Sequence, residues 1–323
     1  MMDTVLQQQW QFLLMSQMRR GIWAMQPDKV IAMGATVQEL MNRDWNSGMQ
    51  TLDLETEKSR AEFPVGIKTK SGEVLAGKNS LDQAPEGSTA VIPLKGTMLK
   101  YGTYCTYGTE EIASKLLEAA MHRNIASLVL DVDSGGGAVD AVAPMVQAIA
   151  KTRNEIGKPV VASGDLCASA AVWVAAACTR VLANNLISAE FGSIGVMMGF
   201  WDVVPYWEKE GFKRHDIYAP ESDWKNRAFK LALEGKYDEI KQEELSPLAI
   251  AFQNAIKATR GNKLKLDVPG LLNGRMFFAN NEKDNSLNAK EVGLIDEVGT
   301  LDDAIDLSRD LAKSAFVDKY VSS

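Results

Sequence analysis

Residues 160–199 read VVASGDLCASAAVWVAAACTRVLANNLISAEFGSIGVMMG, and the fold turns on this stretch. Val160 and Val161 open it as a β-branched apolar run, the composition of a buried strand. Cys167-Ala168-Ser169-Ala170-Ala171 follows, and Ala170 to Cys178 reads as a helix of small apolar residues. A second short apolar run then leads to the glycine turn Gly192-Ser193-Ile194-Gly195. A hydroxyl at the mouth of a helix made almost wholly of Ala, Val and Cys stands out in a core. It has two readings. Serine is a preferred N-cap, and a serine at a helix N-terminus is also well placed as a nucleophile, because free backbone N–H groups favour developing negative charge. On this stretch alone the cap is the simpler reading.

Upstream, Thr89-Ala90-Val91-Ile92-Pro93-Leu94 is strand-like. A helix is predicted from Glu110 to His122, with Ile112, Leu116, Leu117 and Ala120 on its apolar face. Leu128-Val129-Leu130-Asp131-Val132 is a buried strand candidate ending in Asp133-Ser134-Gly135-Gly136-Gly137. A helix from Val139 to Arg153 and a strand over Pro159–Ala162 follow. Strands alternating with helices of this length imply an α/β domain of βαβ units, with a mostly parallel sheet covered on both faces. Sites in such sheets form at the carboxyl ends of the strands, where both the glycine run and Ser169 fall.

Downstream, Trp207 to Phe212 is amphipathic and His215 to Tyr218 reads as a further strand. Asp223-Trp224-Lys225-Asn226 is a polar loop, and a long helix from Tyr237 to Thr259 should bend or break near Pro247. A terminal helix covers Leu301 to Lys313. At the other end, residues 3–48 carry helical spacing (Trp10, Leu13, Leu14, Met18; then Ile31, Val37, Leu40, Met41). The domain plan is a helical segment over 1–50, a connector over 51–88 with a small hairpin at Ser71-Gly72, a main domain over 89–313 and a tail over 314–323.

Composition narrows the function. The 323 residues carry a formal charge of −7, which argues against a nucleic-acid partner. Apolar residues make up 46% and charged residues 24%, as in an ordinary soluble globular protein. Cys105, Cys167 and Cys178 lack metal-ligand spacing and suit a reducing compartment. The apolar run in Trp10–Met25 is too short to span a membrane, is cut by Arg19-Arg20 and lacks a signal-peptide cleavage site, so a cytoplasmic location is expected.

The glycine run over 135–137 could cradle a phosphate, form half of an oxyanion hole or simply turn tightly into a helix. It matches neither GxGxxG nor a P-loop. A nucleophilic Ser169 would need a base. His122, at a helix end, and His215, in a charged turn, read as structural and solvated. That leaves a lysine, held neutral by desolvation or nearby positive charge, among 35 basic residues.

The ordered combination is more specific than its parts: strand, glycine run, helix, strand, small-residue Ser helix, Gly-Ser-Ile-Gly-Val, then Gly274-Arg275 and Ala289-Lys290-Glu291-Val292-Gly293-Leu294-Ile295-Asp296-Glu297-Val298-Gly299. Over roughly 89–310 it resembles the signal peptide peptidase A family of serine peptidases, most of all its phage head-maturation (prohead) protease branch. The resemblance implies the Clp protease/crotonase superfold, no metal and no cofactor. It implies Ser169 as nucleophile, Lys225 as general base, N–H groups of Gly136 and Ala170 as oxyanion donors, and Gly137 and Ser193 as site-lining residues. A polypeptide substrate follows, such as capsid or scaffold proteins or signal and short peptides. So does a homo-oligomeric ring or dome, with Lys225 acting in cis or in trans and the site in the cytoplasm or a prohead within it. Two departures are Gly135 where the family has Pro and Ala170-Ala171 where it has Gly-Gly. Ala170-Ala171 and the extra N-terminal helices motivate a rival reading, a catalytically silent assembly protein on the same fold; fold alone motivates a third, acyl-CoA chemistry of the crotonase type.

Overall fold

Val160–Ala168 (β7) is the axis of the sheet. In the computed structural model, residues 22–25, 63–76, 80–102, 106–200, 202, 204–213 and 215–321 are described, with the backbone course alone at 22–25 and 316–321. In chain order the strands are Ile22–Met25 (β1), Gly66–Lys68 (β2), Val74–Leu75 (β3), Ser88–Lys95 (β4), Ile125–Ser134 (β5), Gly136–Ala138 (β6), β7, Arg180–Ala183 (β8), Glu190–Gly192 (β9), Met197–Met198 (β10), Met276–Phe278 (β11) and Glu297–Val298 (β12). The main sheet runs β11-β9-β7-β5-β4-β2-β3, and β8 joins β7 to β12. The pairs β4–β5, β5–β7, β7–β8, β7–β9 and β8–β12 are parallel. β2, β3 and β11 add antiparallel edges. The α/β architecture with a mostly parallel sheet, read from the alternation of strands and helices, is the one observed.

β7 forks. Val161–Gly164 pairs with β8, while Leu166–Ala168 pairs with β9. The strand is therefore longer than the apolar run over 159–162 suggested, and its extension delivers Ser169 to the carboxyl edge. Ser163, Gly164 and Asp165, which follow Ala162, are small or polar and hid this half from a reading by hydrophobicity.

Helices cover both faces. On one lie Thr109–Met121 (α1), Val142–Lys151 (α2), Ala170–Ala176 (α3) and Ser246–Arg260 (α4); Leu301–Val321 (α5) lies on the other. Strand periodicity sorts the side chains: Leu128, Leu130, Val160 and Ala162 enter the large core, whereas Val129, Val161 and Leu182 meet Ala304 and Ile305 of α5. Trp173 of α3 stacks on Phe252 of α4 with ring centroids 4.4 Å apart. A buried hydroxyl chain ties α5 to the sheet: Thr89 meets Ser127 at 3.0 Å, and Ser127 meets Ser308 at 2.8 Å.

Three expectations need correction. His215 to Tyr218 is no strand; Ile217 is 93% exposed, and a short apolar alternation without a ladder partner stays a loop. Ile22–Met25 is a strand within the segment read as helical, because two strand edges accept its backbone. The connector over 51–88 supplies β2 and β3, whose hairpin does turn at Ser71-Gly72 and whose β2 pairs with β4. The helical spacing at Trp10–Met18 and Ile31–Met41 lies outside the described residues. The interruption expected at Pro247 appears as a wide turn over Lys241–Leu245 between Tyr237–Ile240 and α4, where the proline ring would crowd the carbonyl of residue 243.

Candidate active site

Parallel pairing sets Ser134 of β5 opposite Cys167 of β7. The glycine run and Ser169 thus leave the sheet side by side. Ser169 occupies the N-cap position of α3, and its carbonyl accepts the Trp173 N–H at 3.1 Å. Its hydroxyl makes no capping hydrogen bond; its acceptor is the Gly195 carbonyl at 3.5 Å. The cap reading therefore fails at the side chain, the part that defines it.

The backbone of Ser169 is strained, with φ 54° and ψ −119°. Serine at positive φ costs of order 1–3 kcal/mol and persists only where the surroundings over-determine it. Here they do: the Ser169 N–H donates to Gly192 O at 2.8 Å, and α3 behind it is fully packed at Ala170, Ala171 and Val174. Ser193 is strained too, at φ 55°, and its N–H donates to Arg275 O at 3.0 Å. The Gly274-Arg275 motif acts through this carbonyl and through Met276 paired with Gly192.

On the opposite wall, Gly136 stands at φ 95°, open to glycine and costly for other residues. Its N–H donates to Ser134 Oγ at 3.1 Å, and Ser134 Oγ donates to Gly96 O at 2.5 Å. Met98 runs alongside, donating to Gly136 O and accepting from Ala138 N, both at 2.9 Å. Gly137 is needed for that approach, since a Cβ there would fall 1.9 Å from Met98 O. Gly137→Ala is expected to lower stability by about 1–3 kcal/mol through overpacking. It should also cut any cleavage activity by displacing β6. Paired denaturant melts and turnover assays check this, and a melt matching wild type would contradict it.

The Ala170 N–H, first in α3, has no acceptor within its helix. The structure thus groups Ser169, Ala170, Gly136, Gly137 and Ser193 at one sheet edge. Lys225 lies in an exposed turn after Pro220–Ser222, its N–H donating to Ser222 O at 3.0 Å. Among the described residues, no lysine hydrogen-bonds the Ser169 hydroxyl. Sequence reasoning quoted the stretches holding Gly195 and Ser134 but missed the contacts of Gly195 O and Ser134 Oγ, and it missed the Met98 segment. Two of these act through backbone atoms, which leave no residue-type signal. Burial pushes the Cys167 thiol far up and the Cys178 thiol up to about 12, so neither neighbour competes as a thiolate nucleophile.

The chain is similar to known proteins. Protease 4 of Haemophilus influenzae is 25% identical over 275 residues, covering 80% of this chain and 42% of that protein. Capsid assembly protease C of Escherichia phage lambda is 28% identical over 229 residues, covering 68% of this chain and 48% of that protein. The chain spans less than half the length of these two relatives. Among solved structures, a variant of the 1510-N membrane-bound stomatin-specific protease aligns with TM-score 0.35 and 16% identity, over 66% of this chain and 80% of that one. The profile of peptidase family S49 matches residues 152–315, from the end of α2 to the C-terminal helix, and the chain belongs to that family.

Proposed function

We propose that this protein is a serine endopeptidase with a Ser169–Lys225 dyad. One observation carries the reading: a strained serine at the carboxyl edge of a parallel sheet, its hydroxyl released from capping, beside a glycine strand and an unpaired helix-start N–H. Neutral Lys225 takes the Oγ proton as Ser169 attacks a peptide carbonyl. The Ala170 N–H and the Gly136 N–H, shared with or released from Ser134, hold the oxyanion. The proton passes from Lys225 to the leaving amine, and water activated by Lys225 then hydrolyses the acyl-enzyme.

Lys225 must reach the hydroxyl, either by closure of its own turn or from a neighbouring subunit. Exposed aromatic residues in the same stretch of chain (Trp207, Phe212 and the adjacent Trp224) favour the second route, since apolar surface of this kind marks contact sites. A homo-oligomeric ring or dome would supply that contact. Relatives named for capsid assembly and for proteolysis support a polypeptide substrate, with capsid or scaffold proteins the first to try. Among the described residues no helix is long and apolar enough to cross a membrane.

Lys225→Ala is expected to lower casein turnover by about 10²-fold or more while KM holds. Mixing this variant with Ser169→Ala tests the route, because activity returns only if lysine acts across subunits. Wild-type turnover in Lys225→Ala would remove Lys225 from the mechanism.

A further inference from the structure

β1 stands between β6 and β10 as the middle strand of a three-stranded sheet. It is antiparallel to both, with Trp23, Ala24 and Met25 opposite Ala138, Gly137 and Gly136, and Ile22 and Trp23 opposite Met198 and Met197. These two edges flank the nucleophile. β6 carries the proposed oxyanion donor, and β10 begins two residues after Gly195, whose carbonyl holds the Ser169 hydroxyl. The slot between them is where a substrate chain must lie for its carbonyl to meet Ser169.

Alternation along β6 sharpens the geometry. Gly136 O and Ala138 N are both engaged by Met98, so the N–H and C=O of Gly137 face the other edge, where Ala24 is the register partner. Strand addition of this kind binds through the main chain and accepts many sequences. Direction matters as well. β1 runs so that its last residue, Met25, stands opposite Gly136. It occupies the place of the residue whose carbonyl would be attacked. Ser169 is meanwhile only 1% exposed, so the nucleophile is closed to a polypeptide in this state.

We infer that Ile22–Met25 is an intramolecular ligand of the substrate slot, holding the protein in a self-occluded form that an extended polypeptide must displace. This rests on the peptidase reading of the Ser169 site and adds its regulation. The occupant is unbranched extended backbone with a small residue, Ala24, at its centre, so substrates that displace it are flexible segments rather than folded surfaces.

The test uses the full chain. Ala24→Pro removes the N–H that faces Gly137 and imposes a φ unsuited to an antiparallel strand. A second variant replaces Ile22–Met25 with Gly-Ser-Gly-Ser, which keeps the length and loses strand propensity. Both are expected to lower KM for casein about tenfold with kcat held, the gain when a slot occupied about 90% of the time is vacated. Hydrogen exchange gives a readout independent of cleavage. Amides of Gly137 and Met197, the register partners of Ala24 and Trp23, should exchange slowly in the wild type and fast in both variants. A synthetic peptide of residues 21–26 (Gly-Ile-Trp-Ala-Met-Gln) should restore their protection. It should also inhibit the variants competitively. Unchanged exchange in both variants would overturn the inference, whatever the cleavage assay shows. Absence of cleavage in every protein, with the exchange pattern as expected, would instead overturn the peptidase reading and keep the intramolecular ligand.

Discussion

Ser169→Ala is expected to lower polypeptide turnover by about 10⁶-fold, the scale on which losing an activated serine is felt. Folding should hardly change. The hydroxyl makes one long contact, to Gly195 O at 3.5 Å, and no cap, so its removal should shift stability by less than about 1 kcal/mol. This separates the nucleophile from the cap, whose loss would typically cost about 1 kcal/mol and leave activity intact. The strain at φ 54° gives an internal control. Ser169→Gly should be equally inactive yet more stable than Ser169→Ala by about 1 kcal/mol or more, because glycine adopts that backbone without penalty. Casein cleavage with denaturant melts on the two variants reads both effects. Wild-type turnover in either would remove Ser169 from the chemistry, and equal melts would remove the strain argument.

Asp296→Ala is expected to lower stability by about 3–5 kcal/mol, the cost of breaking a buried ion pair from one side. Asp296 accepts two hydrogen bonds from Arg260, each 3.0 Å, and one from the Val181 N–H at 2.8 Å; Lys263 Nζ adds a third charged contact. The Asp296 and Arg260 side chains are 7% and 5% exposed. Arg260 also donates to Gly293 O at 2.8 Å, so the pair locks the motif over 289–299 to α4 and β8. Burial works against ionisation of Asp296, but its hydrogen bonds to Arg260 and Lys263 outweigh it and bring the carboxyl down to about 2. A depressed folded-state value means stability that is present above the unfolded pKa of about 4 and is lost as pH falls towards 2. The wild type should therefore lose about 2–3 kcal/mol relative to Asp296→Asn between about pH 5 and pH 2. Denaturant melts across that range check the sign, and parallel curves for the two proteins would refute it.

Asp296 also shows how far the sequence could be read. The Gly-Leu-Ile-Asp-Glu-Val-Gly run carried the family resemblance, and its Leu294 and Ile295 are buried as apolar residues should be. Nothing in the run named Arg260 as the partner, 36 residues earlier. The alternation of apolar strands and amphipathic helices likewise gave β4, α1 and α2 within a few residues of their bounds and the central half of β5, because burying a face imposes a period on the residues that bury it. β9 and β10, three and two residues long, are too short to carry such a period; neighbouring edges decide them.

By itself, the sequence determined the α/β class, the mostly parallel character of the sheet, and the placing of Ser169 and the glycine run at strand ends. All of these follow from local patterning and chain order. Only the tertiary structure decided that the Ser169 hydroxyl leaves its helix for Gly195 O, that Ser134 and Met98 brace the glycine strand, and that Ile22–Met25 lies in the slot beside them. The reason is physical. Backbone groups of every residue type are chemically alike, so which N–H meets which carbonyl across distant segments is set by register and packing and leaves no mark on residue identity.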